Sequence, residues 1–205
     1  MCRTVVVMKH RLLRVASVVV MGCLGLSACG NGPASSTDSQ ISESANAAVG
    51  WNDADVTFVQ GMIPHHEQAM MMSNMMTGRT VSEATAELAQ QIGAAQSDEV
   101  LMMQGFLAEW GVELDSHAGH SGDHSMGEGM MSDEQLDDLD NADGVAFERM
   151  WLTMMLEHHK GAIVMANAVM ADGAEPRVRA LAEAIITAQE AEIAQIEGLL
   201  AGLGN

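Results

Sequence analysis

The chain has 205 residues, 48% of them hydrophobic, enough for one globular core or two small ones. With 9 Lys plus Arg against 28 Asp plus Glu, the formal charge is -19, which argues against a nucleic-acid partner because phosphate binding needs basic residues in number. Aromatic content of 3% without any Tyr argues against a β-sandwich or barrel, while abundant Ala, Leu, Met, Gln and Glu and only three Pro point to an all-α fold.

Arg3, Lys9, Arg11 and Arg14 make a basic start, and Val15 to Ala28 follow without a charge. That run of 14 residues is shorter than the ~18 that a membrane span wants, so residues 1–28 read as a secretory signal. It closes on Leu26-Ser27-Ala28-Cys29, similar to the bacterial lipobox, whose Cys is lipidated and becomes the new first residue. The expectation is an exported protein, lipid-anchored through Cys29 to the outer face of the cell membrane, or to the periplasmic side where an outer membrane exists. An ordinary signal peptide with a chance Cys is the competing reading, and it exports the chain too. Cleavage before Cys29 removes four basic residues and no acidic ones, taking the charge from -19 to -23. Cys2 and Cys23 leave with the signal, so the mature chain can form neither an intrachain disulfide nor a thiolate metal site. Residues 29–51, with their Ser, Ala, Asn and Gly, read as a flexible tether.

A helical domain is expected over residues 52–205. Asn52 and Asp53 can cap a first helix that runs to about Thr77 and stops at Gly78. Pro64 within it removes one backbone hydrogen bond, which predicts a kink beside His65. Thr80-Val81-Ser82-Glu83 is a capping-box pattern, opening a second helix to about Trp110 with Gly111 beyond. Residues 112–144 are a different material: 116–131 read SHAGHSGDHSMGEGMM, a mobile loop, followed by a short helix from Asp133 to Asp140 capped by Ser132. A third helix spans about Val145 to Met170, ending before Gly173. Pro176 falls in the first turn of the last helix, where its missing N–H costs nothing.

The two adjacent His pairs, His65-His66 and His158-His159, lie 93 residues apart, and the same offset matches Met62 to Met155, Ala69 to Ala162 and Met72 to Met165. It continues through Leu88/Leu181, Ile92/Ile185, Gln96/Gln189, Glu99/Glu192 and Gly105/Gly198, with Asp55 meeting Glu148. A register held this long reads as two copies of one unit, residues 52–111 and 145–205. Each copy is a helical hairpin, and two antiparallel hairpins make a four-helix bundle.

At helical spacing Asp55, Phe58, Met62, His65, His66, Ala69 and Met72 share one face, and Glu148, Met155, His158, His159, Ala162 and Met165 share its counterpart. A two-fold arrangement would gather four imidazoles and several thioethers. Glu99 and Glu192 could accept the second ring N–H of a ligating His, with Asp55 and Glu148 as further outer partners. Thioether with imidazole suits Cu(I), and imidazole alone suits Cu(II) or Zn(II), so copper stands ahead of zinc. In the loop, His117, His120, His124, Met126, Met130 and Met131 are either a second metal collector or a Gly-rich linker. The competing reading makes the His-Met face core packing or a docking surface, with Met71 and Met75 as core fillers in either case. The Glu-x-x-His of di-iron bundles, the His-Glu-x-x-His of zinc proteases, a phosphate-cradling Gly loop and a nucleophile elbow are all absent, so no enzyme activity is expected.

Met62-Ile63-Pro64-His65-His66 with Ala69 and Met72, and Met155 through Met165 around the second His pair, resemble the bacterial domain-of-unknown-function family three-hundred-five. The resemblance covers about residues 52 to 203. It implies an exported, ferritin-like helical bundle and, from some members, copper binding and copper resistance. By resemblance the ligands are Met62, His65, His66, Met155, His158 and His159, then Met72 and Met165. Glu157 stands where the first copy has Pro64, and Ile163 where it has Met70, so the halves are not equivalent. The function expected is copper buffering, sequestration or delivery to a partner protein.

Overall fold

The computed structural model describes residues 50–114 and 128–204. The signal segment, Cys29, most of the tether, and His117, His120, His124 and Met126 lie outside the described residues. Within them the protein is all helical: α1 (Asp53–Asn74), α2 (Glu83–Trp110), α3 (Asp133–Asn141), α4 (Gly144–Asp172) and α5 (Pro176–Gly202). None of the described helices is long and apolar enough to cross a membrane.

Local chemistry accounts for most helix ends. Asn52 caps α1 in a reciprocal box with Asp55, and Ser132 caps α3 in a box with Gln135. Gly111, in the left-handed conformation (φ 68°), closes α2. Two ends differ from expectation. Helix α1 stops at Asn74, and residues 75–78 continue as a turn. The N-cap of α2 is Ser82 rather than Thr80, and the reason is tertiary: the Glu148 carboxylate accepts from the Ser82 backbone N–H and from the hydroxyls of Ser82 and Thr85. Helix α1 continues through Pro64.

The hairpins α1–α2 and α4–α5 pack through α1 against α4, while α2 and α5 touch little. His66 reaches Glu99, and a Cβ at Gly93 would lie 3.6 Å from Ser73 Cβ, so α1 and α2 run antiparallel. The His65 ring lies against that of His158 and the Trp151 indole N–H donates to the Met72 carbonyl (3.0 Å), so α1 and α4 are antiparallel too. Ala69 therefore comes level with Met154 and Met155.

Buried apolar side chains form two clusters. One contains Phe58, Val59, Met62 and Ile63 with Val100, Met103, Ala162, Ala166 and Ile185. The other contains Ala69 and Met72 with Leu88, Ile92, Trp151, Met155 and Ile196. On every long helix the switch between clusters falls at buried polar residues: His65 and His66 on α1, Gln96 on α2, His158 and His159 on α4, Gln189 on α5. The bundle thus has a polar waist between two apolar halves.

Candidate metal centre

The waist is centred on the α1–α4 contact. The His65 and His158 ring centroids are 3.8 Å apart, with the planes tilted by 41°. His66 lies beside them, its centroid 6.4 Å from that of His65. The outer rings are held alike in the two halves: His66 Nε2 donates to Glu99 Oε2 at 2.7 Å, and His159 Nε2 donates to Glu192 Oε2 at 2.7 Å. These two carboxylates stand where the repeat placed them, each accepting a ring N–H.

The inner rings are treated differently. His65 Nε2 donates to the backbone carbonyl of Glu128 at 3.0 Å. That carbonyl belongs to a strap, residues 128–131, lying across α4. A Cβ at Gly161 would sit 1.9 Å from Glu128 O and 2.7 Å from Gly129 N, so only glycine lets the strap this close. Gln68 clamps the strap's far end, donating to the Met131 carbonyl and accepting from the Met131 N–H, both at 2.8 Å. Only one segment joins the repeats, so the strap breaks the two-fold symmetry. The same offset of 93 pairs Gln68 with Gly161, a mismatch at the very place where the strap crosses.

These bonds settle which ring atoms are free. With Nε2–H committed to an oxygen, a neutral imidazole presents its lone pair at Nδ1. Among the described residues Nδ1 of His65, His66 and His159 are buried without a hydrogen-bond partner, and neither nitrogen of His158 makes a close one, the ring meeting only the backbone of His65. Leaving a buried polar atom unsatisfied costs about 1–3 kcal/mol. Burial, then the neighbouring His66 imidazole, holds His65 down from 6.5 to about 3 against the opposing Glu128 hydrogen bond. Burial, followed by the His65 ring, likewise holds His158 well below its ordinary value. Both therefore stay neutral, the form that binds a metal ion.

The profile of DUF305, a domain of unknown function, matches residues 55–200. The chain belongs to the DUF305 family. Among solved structures, a DUF305 fragment from Deinococcus radiodurans is 31% identical, with a TM-score of 0.67 over 73% of this chain and 97% of its own. A DUF305 protein from Streptomyces coelicolor is also 31% identical, with a TM-score of 0.68 over 74% and 94% of the two chains. CopM in its Cu(II)-bound form is 28% identical, with a TM-score of 0.64 over 72% of this chain and 96% of its own. CopM has also been solved with Cu(I) and with silver bound. No curated protein matches the sequence.

In this DUF305 bundle the other expected site residues divide. Met62 and Met155 are fully buried one helical turn from the imidazoles. Met72, also buried, lies two turns from His65, about 10 Å along the axis at 1.5 Å per residue, and packs in the second apolar cluster. Met165 is half-buried and packs on the first cluster. Met131, expected in a loop collector, is 7% exposed and belongs to the second cluster, while Met130 beside it is half-buried. Met71 is not a core filler: it is 42% exposed. Met75 is half-buried against the second cluster.

Asp55 and Glu148 are not outer partners of the His layer. Asp55 Oδ2 accepts from the backbone N–H groups of Asn52, Ala174 and Glu175, and so fixes the chain entering α5, whose N-cap is Glu175, as well as the start of its own helix. Glu148 fixes the start of α2 by holding its N-cap Ser82 and Thr85. Each carboxylate sits at the positive N-terminal end of a helix from the other hairpin and ties the two hairpins together. Burial alone would raise Glu148, yet the hydrogen bonds from Ser82 and Thr85 hold it below its ordinary value.

The strap carbonyl, Gln68 and Gly161 were not singled out from the sequence. Gln96 and Gln189 appeared there only as a retained pair. Among the described residues no three His, Cys, Asp or Glu side chains converge to hold one ion by themselves. Any ion in the waist needs a further donor type, and buried thioethers adjoin it.

Proposed function

We propose that this protein is an exported copper-binding protein that buffers copper or passes it to a partner, holding the ion in the waist of its bundle. The observation that carries the reading is the layer of buried imidazoles with unpaired ring nitrogens, flanked by the buried Met62 and Met155. Two imidazoles with a thioether make a low-coordinate, soft set, which suits Cu(I) and also silver. Structural zinc wants four nitrogen, thiolate or carboxylate donors, and such a cluster is absent among the described residues. CopM, which shares the fold at 28% identity, binds copper in both oxidation states, and this supports the reading. The loop residues His117, His120, His124 and Met126, with the half-buried Met130, would capture ions from outside. Met72 and Met165 would serve as packing next to the donors. Binding and transfer, rather than catalysis, are the activities proposed.

Export rests on the basic, then apolar, amino-terminal segment, and anchoring on the lipobox-like sequence at Cys29. The Streptomyces coelicolor relative bears the designation of a secreted protein, which agrees with export.

Copper that binds the folded state alone stabilises it by about 2.7 kcal/mol at a hundredfold excess over the dissociation constant. Cu(I) and Cu(II) should raise the melting temperature of the wild-type protein, and the rise should vanish when His65, His66, His158 and His159 are all replaced by Ala. Deleting residues 116–127, which spares the strap, should leave the rise largely intact. A melting temperature indifferent to both ions would defeat the copper reading and leave the His layer as packing.

A further inference from the structure

Gln96 and Gln189 are each 3% exposed. Among the described residues Gln96 Oε1 and Nε2, and Gln189 Oε1, have no hydrogen-bond partner. The two residues occupy equivalent positions in the repeats, and each precedes by three the Glu that holds an outer imidazole. Residues three apart share a helix face one turn apart, so each amide lies on the same face as its carboxylate but one turn away from it. The antiparallel register brings Gln96 level with Ala69 in its own hairpin and with Met155 of the other. It brings Gln189 level with Ala162 and Met62. Ala69 and Ala162 are fully buried, and a methyl group takes up little of the interior opposite each amide.

The chemistry of the layer leaves these amides a specific role. Glu99 and Glu192 each hold an outer imidazole N–H through Oε2, whereas among the described residues the two amides hold nothing through their oxygens. A soft Cu(I) ion is satisfied by few donors of imidazole and thioether type, whereas Cu(II) favours tetragonal nitrogen and oxygen sets. Weak carboxamide-oxygen ligation to copper is itself known chemistry. We infer that Gln96 and Gln189, one on each side of the imidazoles, are oxygen donors for the oxidised ion, so that the waist holds Cu(I) on imidazole and thioether and Cu(II) with carboxamide oxygen added. This rests on the copper reading above and names what lets the waist serve both oxidation states.

The test compares wild type, Gln96→Leu, Gln189→Leu and the double variant, each as the full chain. Affinities for Cu(II), Cu(I) and Ag(I) are measured by competition with chromophoric chelators, the last two under anaerobic conditions. Loss of the oxygens should weaken Cu(II) about tenfold or more, in the range that loss of a group supporting a metal site costs, and leave Cu(I) and Ag(I) unchanged. Each tenfold weakening of Cu(II) relative to Cu(I) raises the reduction potential of the bound ion by about 59 mV. Gln96→Glu, which keeps an oxygen at the same place, should restore or strengthen Cu(II) binding, and it decides the matter if the Leu variants fail to fold. Equal weakening of Cu(I) and Cu(II), no weakening of either, or a Cu(II)-to-Cu(I) affinity ratio in Gln96→Glu that falls below that of wild type overturns the assignment. A wild-type chain that binds none of the three ions overturns the copper reading itself, and this assignment with it.

Discussion

Replacing Gly161 by Ala should destabilise the protein even though Ala is the better helix former. The added Cβ would stand 1.9 Å from Glu128 O, 2.4 Å from its carbonyl carbon and 2.7 Å from Gly129 N, all backbone atoms that no rotamer change can move. Reaching even the 3.0 Å that real Cβ contacts rarely undercut requires the carbonyl to move by about 1.1 Å or more. The His65 Nε2–H then loses its acceptor, and an orphaned buried donor costs about 1–3 kcal/mol. Forcing the backbone aside adds about 1–3 kcal/mol, and the helix preference for Ala returns about 1 kcal/mol. The net loss should be about 1–5 kcal/mol. Gly105 and Gly198 provide matched controls in α2 and α5, since a Cβ at either meets nothing within 4 Å. Gly105→Ala and Gly198→Ala should each stabilise by about 0.5–1 kcal/mol. Urea unfolding followed by circular dichroism at 222 nm reads all three, and a Gly161→Ala protein as stable as Gly198→Ala would refute the strap's close approach.

Acid should weaken the metal-free fold before any carboxylate is lost. His65 has its folded value depressed to about 3, so below 6.5 the unfolded chain binds protons that the folded one refuses; stability falls as pH drops from 6.5 toward 3. At about 1.4 kcal/mol per pH unit, His65 alone removes about 2 kcal/mol by pH 5, and His158 acts in the same sense. Glu148 contributes only at lower pH, because its stabilisation is present above 4.5 and lost below it. Urea midpoints at pH 7 and pH 5 that coincide would show that the inner imidazoles are not buried neutral. Glu148→Ala and Asp55→Ala should each cost about 3 kcal/mol by leaving helix N-terminal donors without an acceptor, with copper affinity of the remaining folded protein unchanged. Weaker copper binding in either variant, measured by the same chelator competition, would return these carboxylates to the metal centre.

Much of the bundle was legible in the chain because its determinants are local. Asn52 with Asp55 and Ser132 with Gln135 cap helices through partners three residues away, and Pro176 starts α5 through its own ring. The offset of 93 between the His pairs carried the hairpin repeat, and helical spacing put His65, His66, His158 and His159 on interior faces. Glu99 and Glu192 followed from the same repeat, since each must stand level with the His of its own hairpin.

What the tertiary structure alone decided is which backbone groups come within reach of a side chain far away in sequence. Asp55 and Glu148 matched across the repeat and sat on the His face, yet each serves a helix end of the other hairpin, because those N–H groups are the nearest unpaired donors once the hairpins dock. The Glu128 carbonyl over His65 depends on how residues 128–131 cross α4, and the repeat has no second connection from which that path could be read. Gln96 and Gln189 look like any helix-forming glutamine until packing removes them from water. Burial without a partner makes them chemically distinct, and burial is a property of the assembled bundle rather than of a helix.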